Sequence, residues 1–168
     1  MFSEKMNLCK SVLSVGFLIL IGMNKKTLLG VVLMSGLLAH PLNAREHQSF
    51  DKDWLFVLAD SAGMQKSEYA DGHWHRLNLP HDWAIEGDFA PSNPSGASGG
   101  ALPGGIGWYR KHFSVNPKEK YDRFTITFDG VYMNSTVYIN GHKLGTRPYG
   151  YSTFEYDLTP YINRKGDN

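Results

Sequence analysis

The segment RFTITFD, residues 123–129, constrains the fold more than any other part of the sequence because it alternates strictly. Phe124, Ile126 and Phe128 fall on one face of an extended chain, and the intervening threonines fall on the other. Alternation with period two is typical of a strand that buries one face. The segment therefore predicts a strand lying over an apolar core.

Further strands are expected in the same part of the chain. Asn140 and Gly141 tolerate the positive φ angles of a tight type I′ turn, which predicts a hairpin around them. After residue 44 no stretch keeps a helical period, although Thr159 as N-cap and Pro160 predict one helical turn. The pattern favours an all-β fold, an antiparallel β-sandwich. The other predicted strands are residues 54–58, 74–79, 108–115, 135–145 and 153–156.

The start of the chain has the pattern of an export signal. Lys25 and Lys26 precede an apolar run from Leu28 to Ala39, and Ala44 offers a small residue for cleavage. The run is shorter than the ~20 residues that span a bilayer. We interpret residues 23–44 as a helical signal peptide for secretion or periplasmic export, and residues 1–22 as an upstream extension. A tandem pair of apolar anchor helices is the alternative, and residues 45–168 form the predicted domain.

Composition excludes some partners and some sources of stability. The formal net charge is +1, and no basic stripe suited to nucleic-acid phosphates is present, so nucleic acid is not an expected partner. The one cysteine, Cys9, precedes the predicted cleavage site. The exported domain would contain no disulfide, so packed sheets must supply its stability. The chain ends in the turn-like sequence NRKGDN, which predicts that the sandwich lacks its last strand.

A long glycine-rich segment precedes the predicted strand at residues 108–115. Residues 86–107 form a loop too long for a plain connection, and loops of this size often carry function. The segment is either a flexible tether or a shaped loop that brings the backbone close to a ligand.

The titratable groups near this loop give weak signals. His73, His75, His81 and Asp82 could suggest a metal site, but no third ligand is fixed by their spacing, so we assign no metal and interpret them as a hydrated strand face. A glycosidase needs two carboxyl groups held about 5–10 Å apart across a sugar. Glu86 and Asp88, two residues apart on a loop, are interpreted as solvated charges.

Aromatic residues are a stronger signal of binding. Trp54 and Trp74 are expected in the core, whereas Tyr149 and Tyr151 flank Gly150 in a turn. Exposed aromatic faces can stack on the C–H faces of sugars, so these two tyrosines are either carbohydrate contacts or packing residues.

Together these motifs resemble those of a known family. The segments LPHDWAIEGDF, GGALPGGIGWYRKHF and FDGVYMNSTVYINGHKLGTRPYGYSTFEYDLTPYI are similar to the N-terminal domain of family 2 glycoside hydrolases, the β-galactosidase and β-glucuronidase group. The resemblance covers about residues 50–168 and is strongest to β-galactosidases. It implies a jelly-roll, galactose-binding-like sandwich followed by an immunoglobulin-like domain and a (β/α)₈ barrel, which would be its partners in the same protein.

The resemblance also implies which residues act. The family's two catalytic glutamates belong to the barrel, and no position here matches their motifs, so no catalytic residue and no cofactor are assigned. The family's sandwich contributes loop side chains to the rim of the sugar pocket, which makes Asn93 a candidate sugar contact beside Tyr149 and Tyr151. The expected function is the sugar-binding part of a retaining exo-glycosidase acting on β-galactosides, without hydrolytic activity of its own.

Two other functions remain open from the sequence. A freestanding, secreted carbohydrate-binding module would need a complete sandwich with an aromatic surface. A purely structural or adhesive sandwich would have no sugar affinity at all.

Overall fold

Strands make up nearly all the regular secondary structure of the described residues, as the alternating segments predict. The computed structural model describes residues 4–9, 45–118 and 121–168, and in the first of these ranges only the side chain of Met6. Two short 3-10 helices, Trp83–Glu86 and Ala97–Gly99, interrupt the strands. The strands are β1 (Glu4–Cys9), β2 (Arg45–Ser49), β3 (Trp54–Leu58), β4 (His75–Leu77), β5 (Gly107–Arg110), β6 (Arg123–Phe128), β7 (Ser135–Ile139), β8 (His142–Arg147) and β9 (Phe154–Asp157).

The strands form three sheets around one apolar core, which confirms the antiparallel sandwich. The sheet orders are β2-β1-β6-β9, β4-β3-β5 and β7-β8, and each named strand pair in the described ranges is antiparallel. Phe124 and Phe154 from the first sheet, Trp54 from the second and Ile139 from the third belong to one buried cluster. Burial of these side chains is the main contribution to the stability of the fold, because a chain with one cysteine forms no internal disulfide.

Strand β6 lies at the centre of this core. Phe124, Ile126 and Phe128 are 1%, 6% and 5% exposed, as the alternation predicts. On its other face Thr125 is also buried, so β6 is covered on both sides at that point. The hairpin prediction is confirmed as well, because Asn140 and Gly141 have φ angles of 48° and 80° between β7 and β8.

The edge of β6 is paired with β1, which lies within residues 1–22, the predicted upstream extension. Strand β1 lies between β2 and β6, with Met6 opposite Ile126, and the Met6 side chain is 3% exposed. An extended segment at this position satisfies backbone groups of β6 that would otherwise need another partner. Residues 23–44, with the predicted signal helix, lie outside the described residues. Among the residues described, no helix is long and apolar enough to cross a bilayer.

Three local predictions were too long or wrong. The strands predicted at 108–115 and 74–79 are shorter, covering Gly107–Arg110 and His75–Leu77. Thr159 is not the N-cap of the turn that follows β9. Its backbone N–H is instead capped by the Asp157 carboxylate at 2.9 Å, while its hydroxyl accepts from the Phe124 N–H. The threonine is used to join the turn to β6.

Candidate functional site

The glycine-rich loop, residues 86–107, starts from a capped 3-10 helix. The Asp82 carboxylate accepts a hydrogen bond from the Ala84 N–H at 3.0 Å, which is the local reason that Trp83–Glu86 turns there. The loop ends at β5, whose register is fixed by its pairing with β3. Both ends of the loop are therefore attached to ordered structure.

His81 ties the two ends of the loop together. Its Nε2 lies 3.0 Å from the Glu86 carboxylate, and its Nδ1 lies 2.7 Å from the hydroxyl of Tyr109 on β5. Because a carboxylate only accepts, Nε2 donates to Glu86, and the contact between Nδ1 and the Tyr109 hydroxyl links the same ring to β5. The His81 side chain is 10% exposed and packs on Phe56, so its ring is largely shielded from water, whereas the Glu86 side chain is 62% exposed.

Asn93 lies inside the loop and holds it in a closed shape. Its Nδ2 donates to the carbonyls of Asp88 at 2.8 Å and Ala101 at 2.7 Å, so both amide hydrogens are used within the loop. A backbone hydrogen bond from the Ala90 N–H to the Ala101 carbonyl, at 3.2 Å, closes the same region. The amide oxygen is the atom that Asn93 can offer to a sugar hydroxyl.

Close backbone packing shows that the loop is shaped and is not a tether. A Cβ on Gly87 would lie 2.6 Å from the Pro103 ring, and a Cβ on Gly104 would lie 3.0 Å from the Pro94 ring. Only glycine allows these approaches without displacing the prolines. The glycines therefore permit a compact loop whose shape is fixed by its own contacts.

Replacing Asn93 with alanine should open this loop while leaving the sandwich folded. Two hydrogen bonds, each contributing about 0.5–1.5 kcal/mol, are lost in a segment outside the core. Amide hydrogen exchange at Ala101 and Gly96 is expected to accelerate at least about tenfold, and the midpoint of global unfolding should change little.

The variant Asn93→Asp separates the two roles of the side chain, because it keeps the shape and the oxygen but removes both donors. It should accelerate exchange as much as alanine does. Unchanged exchange in both variants would show that Asn93 does not hold the loop.

Tyr149 and Tyr151 lie on the surface beside a third tyrosine. Tyr132, Tyr149 and Tyr151, here called the tyrosine patch, are 63%, 63% and 76% exposed. The centroid of the Tyr151 ring lies 5.6 Å from that of Tyr132 and 5.7 Å from that of Tyr149. The packing alternative for Tyr149 and Tyr151 does not fit these exposures. Sequence reasoning missed Tyr132, whose position between Gly130 and the turn at Asn134 was the available signal.

A second loop, residues 60–72, is attached to β5 by one arginine. Nη1 of Arg110 donates to the Tyr69 carbonyl at 2.7 Å and the Asp71 carboxylate at 3.0 Å. Its Nη2 donates to the carbonyls of Met64 at 2.6 Å and Lys66 at 3.1 Å. This use of Arg110 was not predicted from the sequence.

The carboxyl group of Asp71 is held in its charged form. Burial raises its pKa, but the hydrogen bonds from His112 and Arg110, together with their attraction for a negative charge, outweigh burial and lower the pKa. The distances from Asp71 Oδ2 are 2.7 Å to His112 Nε2 and 3.0 Å to Arg110 Nη1. The lowered pKa reflects a structural ion pair in this case.

The other titratable candidates are separated or already paired. His73 and His75 are exposed, and His81 is engaged by Glu86 and Tyr109. The described residues contain no group of three side chains that could hold a metal ion. Asp88 is exposed and contributes its carbonyl to Asn93.

Comparisons with known proteins agree with this architecture. The sequence model of the glycosyl hydrolases family 2 sugar binding domain matches residues 100–168. The β-galactosidase BoGH2A of Bacteroides ovatus is 58% identical over 121 residues, which are 72% of this chain. A protein of Formosa agariphila described as a putative β-glucuronidase is 46% identical over 118 residues, which are 70% of this chain.

The solved structures give the same result. A β-glycosidase from Bacteroides vulgatus superimposes with a TM-score of 0.67 and 49% identity, covering 70% of this chain and 16% of that protein. The match spans only 14% of the Bacteroides ovatus relative and 11% of the Formosa agariphila relative. From its sequence and its fold, this chain belongs to glycosyl hydrolase family 2 and carries the family's sugar binding domain.

Proposed function

We propose that this chain is the sugar-binding part of an exported β-galactosidase-like glycosidase and hydrolyses no glycosidic bond by itself. The observation that carries the proposal is the 58% identity to the Bacteroides ovatus β-galactosidase, over a segment that is 14% of that enzyme. Bond cleavage would depend on downstream immunoglobulin-like and barrel domains, which would be the partners of this domain.

The charges of the glycine-rich loop favour a neutral sugar over a glucuronide near Asn93, whereas the exposed Arg147, two residues before Tyr149, removes that preference at the tyrosines. The glycine-rich loop contains Glu86 and Asp88 but no lysine or arginine. A sugar carboxylate is best recognised by a paired cation such as arginine, and the loop offers none. Asn93 supplies an amide oxygen to a hydroxyl, while Tyr149 and Tyr151 supply ring faces to the sugar C–H groups.

The two described carboxyl groups that have a shifted pKa, Asp71 and Asp157, fit a structural role. A retaining glycosidase needs a general acid whose pKa is raised, opposite a second carboxylate. Both Asp71 and Asp157 have a lowered pKa, although burial acts to raise it. For Asp157, the hydrogen bonds from Thr159 and the charge of Arg123 outweigh burial. These groups are placed to hold structure together.

A segment exchange tests the proposal. The complete 168-residue chain should release no dye from a chromogenic β-galactoside. The Bacteroides ovatus enzyme in which this chain replaces the matched segment should retain hydrolysis, whereas deletion of that segment should abolish it. Turnover by the chain alone, or a folded but inactive chimera, contradicts the proposal.

Export is proposed from the sequence of residues 23–44, with Lys25 and Lys26 ahead of the apolar run. Cleavage after Ala44 would give a mature chain that starts at Arg45 and lacks β1. The mass of the exported protein tests this, and a mass that retains residues 23–44 contradicts it.

The tyrosine patch favours a second candidate function, a freestanding carbohydrate-binding module. Its three rings are accessible without any further domain. A folded chimera that is inactive, combined with glycan binding by the chain alone, would favour this function over the first.

A further inference from the structure

We propose that Tyr132, Tyr149 and Tyr151 form one binding site for the terminal galactopyranose ring of a glycan. The inference rests on the proposed function for its ligand class, and it adds Tyr132 and a geometry to the two tyrosines selected from the sequence. It also predicts binding by this chain in the absence of a barrel domain.

The patch is formed where two chain connections meet. The connection from β6 to β7 brings Tyr132, and the connection from β8 to β9 brings Tyr149 and Tyr151. A Cβ on Gly150 would lie 2.8 Å from Tyr132 Cα, so only glycine lets the two connections approach this closely. The sequence thus places a glycine between two tyrosines where the third tyrosine packs against it.

Hydrogen bonds hold the two connections in place. The Asn134 N–H donates to the Pro148 carbonyl at 3.2 Å, and the Thr153 hydroxyl donates to the Asp129 carbonyl at 3.3 Å. A tyrosine side chain has few rotatable bonds, and in the patch hydrogen bonds between the two connections also hold the backbone that carries the tyrosines. A site held in this way loses little conformational entropy when a ligand binds.

The angles between the rings indicate what shape of ligand fits. Tyr151 is inclined by 68° to Tyr132 and by 61° to Tyr149, so the patch is bent and is not a flat platform. A flat row of rings suits the side of a polysaccharide chain, whereas a bent surface contacts one sugar ring on a face and an edge. In galactose the axial 4-hydroxyl leaves one face with a continuous row of C–H groups, which suits stacking on an aromatic ring.

The large exposed area of the tyrosine patch is typical of a binding surface. The three tyrosine rings lie together on the surface, and Met133, the residue after Tyr132, is 54% exposed. Contiguous exposed apolar surface on a soluble domain usually marks a binding site. The tyrosine hydroxyls of the patch can donate to and accept from sugar hydroxyls.

Saturation-transfer NMR on the full chain with methyl β-D-galactopyranoside tests the site. We expect a Kd on the order of 1 mM, as is usual for one small ring on an open surface. Alanine at Tyr151 or Tyr132 should weaken binding about five- to tenfold, and Tyr151→Phe should retain most of it, because stacking survives. Tyr161→Ala, at a 40% exposed tyrosine outside the patch, is the matched control and should change nothing.

Each other outcome decides against the site. No saturation transfer to the galactoside, or transfer that survives all three alanine variants together, overturns the inference. Concentration-dependent dimerisation that the same variants abolish would mean that the patch binds a second copy of the chain, and it also overturns the inference. An active chimera without sugar binding by the chain alone would overturn this inference but leave the proposed function standing.

Discussion

Alanine in place of Arg110 should lower the free energy of unfolding by several kcal/mol, approaching the cost of about 3–5 kcal/mol for breaking one side of a buried ion pair, because the pair with Asp71 is mostly buried and four hydrogen bonds are lost. Arg110 is 13% exposed on its side chain and donates four hydrogen bonds to the 60–72 loop. Its guanidinium also lies 4.8 Å from the centroid of the buried Trp74 ring. Its removal leaves Asp71 with one cation fewer and three carbonyls without that donor. Urea unfolding at neutral pH measures the loss.

Two further variants sharpen this result. Arg110→Lys keeps the charge but cannot reach four acceptors with a single ammonium group, so an intermediate loss is expected. Arg76→Ala is the matched control, because its pair with Asp53 spans 3.5 Å and both side chains are about two-thirds exposed. That change should stay within about 0.5 kcal/mol. Equal losses in Arg76→Ala and Arg110→Ala would contradict the special role of Arg110.

The pH dependence of unfolding gives an independent check. The pKa of Asp71 is lowered in the folded state, so its contribution is fully present above the unfolded value of about 3.9. The contribution is lost as the pH falls through the lowered folded pKa. The stability difference between the native chain and Arg110→Ala should therefore shrink in acid. It should persist in part, because the carbonyl acceptors of Arg110 do not titrate.

The parts of the fold that could be predicted are those that adjacent residues determine. Alternation along β6 names its buried face directly, and Asn140-Gly141 specifies a turn by its own backbone preference. The pairing of β1 with β6 joins two segments far apart in sequence, and no pattern in adjacent residues specifies such a pairing. The misassigned N-cap has a similar cause, since Thr159 is a good cap by type but β6 lies within reach of its hydroxyl.

The candidate site was predictable only in part for the same physical reason. Tyr149 and Tyr151 are recognisable because they flank a glycine, whereas Tyr132 joins them through contact between two separate connections. Asn93 was selected as a sugar contact, and the structure shows that its amide hydrogens hold the loop. The hydrogen bonds of Arg110 cannot be predicted from the periodicity of the sequence, because most of their acceptors are backbone carbonyls on another loop. Residue type does not reveal such acceptors.

Phe124→Ala should lower the free energy of unfolding by about 3–5 kcal/mol, the usual cost of emptying a phenylalanine site in a core. Phe124 is 1% exposed, its ring lies edge-on to Tyr121 at 5.9 Å, and the Arg164 guanidinium lies 4.9 Å from its centroid. Because small domains have only about 5–15 kcal/mol of total stability, this one change threatens the fold. Thermal and urea unfolding followed by circular dichroism provide the measurement.

Phe124→Leu keeps the result interpretable if the alanine variant does not fold. Leucine fills most of the site, so its loss should be clearly smaller than that of alanine. Phe89→Ala is the matched control, because that ring is 68% exposed and its removal should cost no more than about 0.5 kcal/mol. The core around β6 positions both connections of the tyrosine patch, so loss of Phe124 should also weaken sugar binding, although none of the three tyrosines is substituted. A Phe124→Ala chain as stable as Phe89→Ala would show that the sandwich does not depend on the buried face of β6.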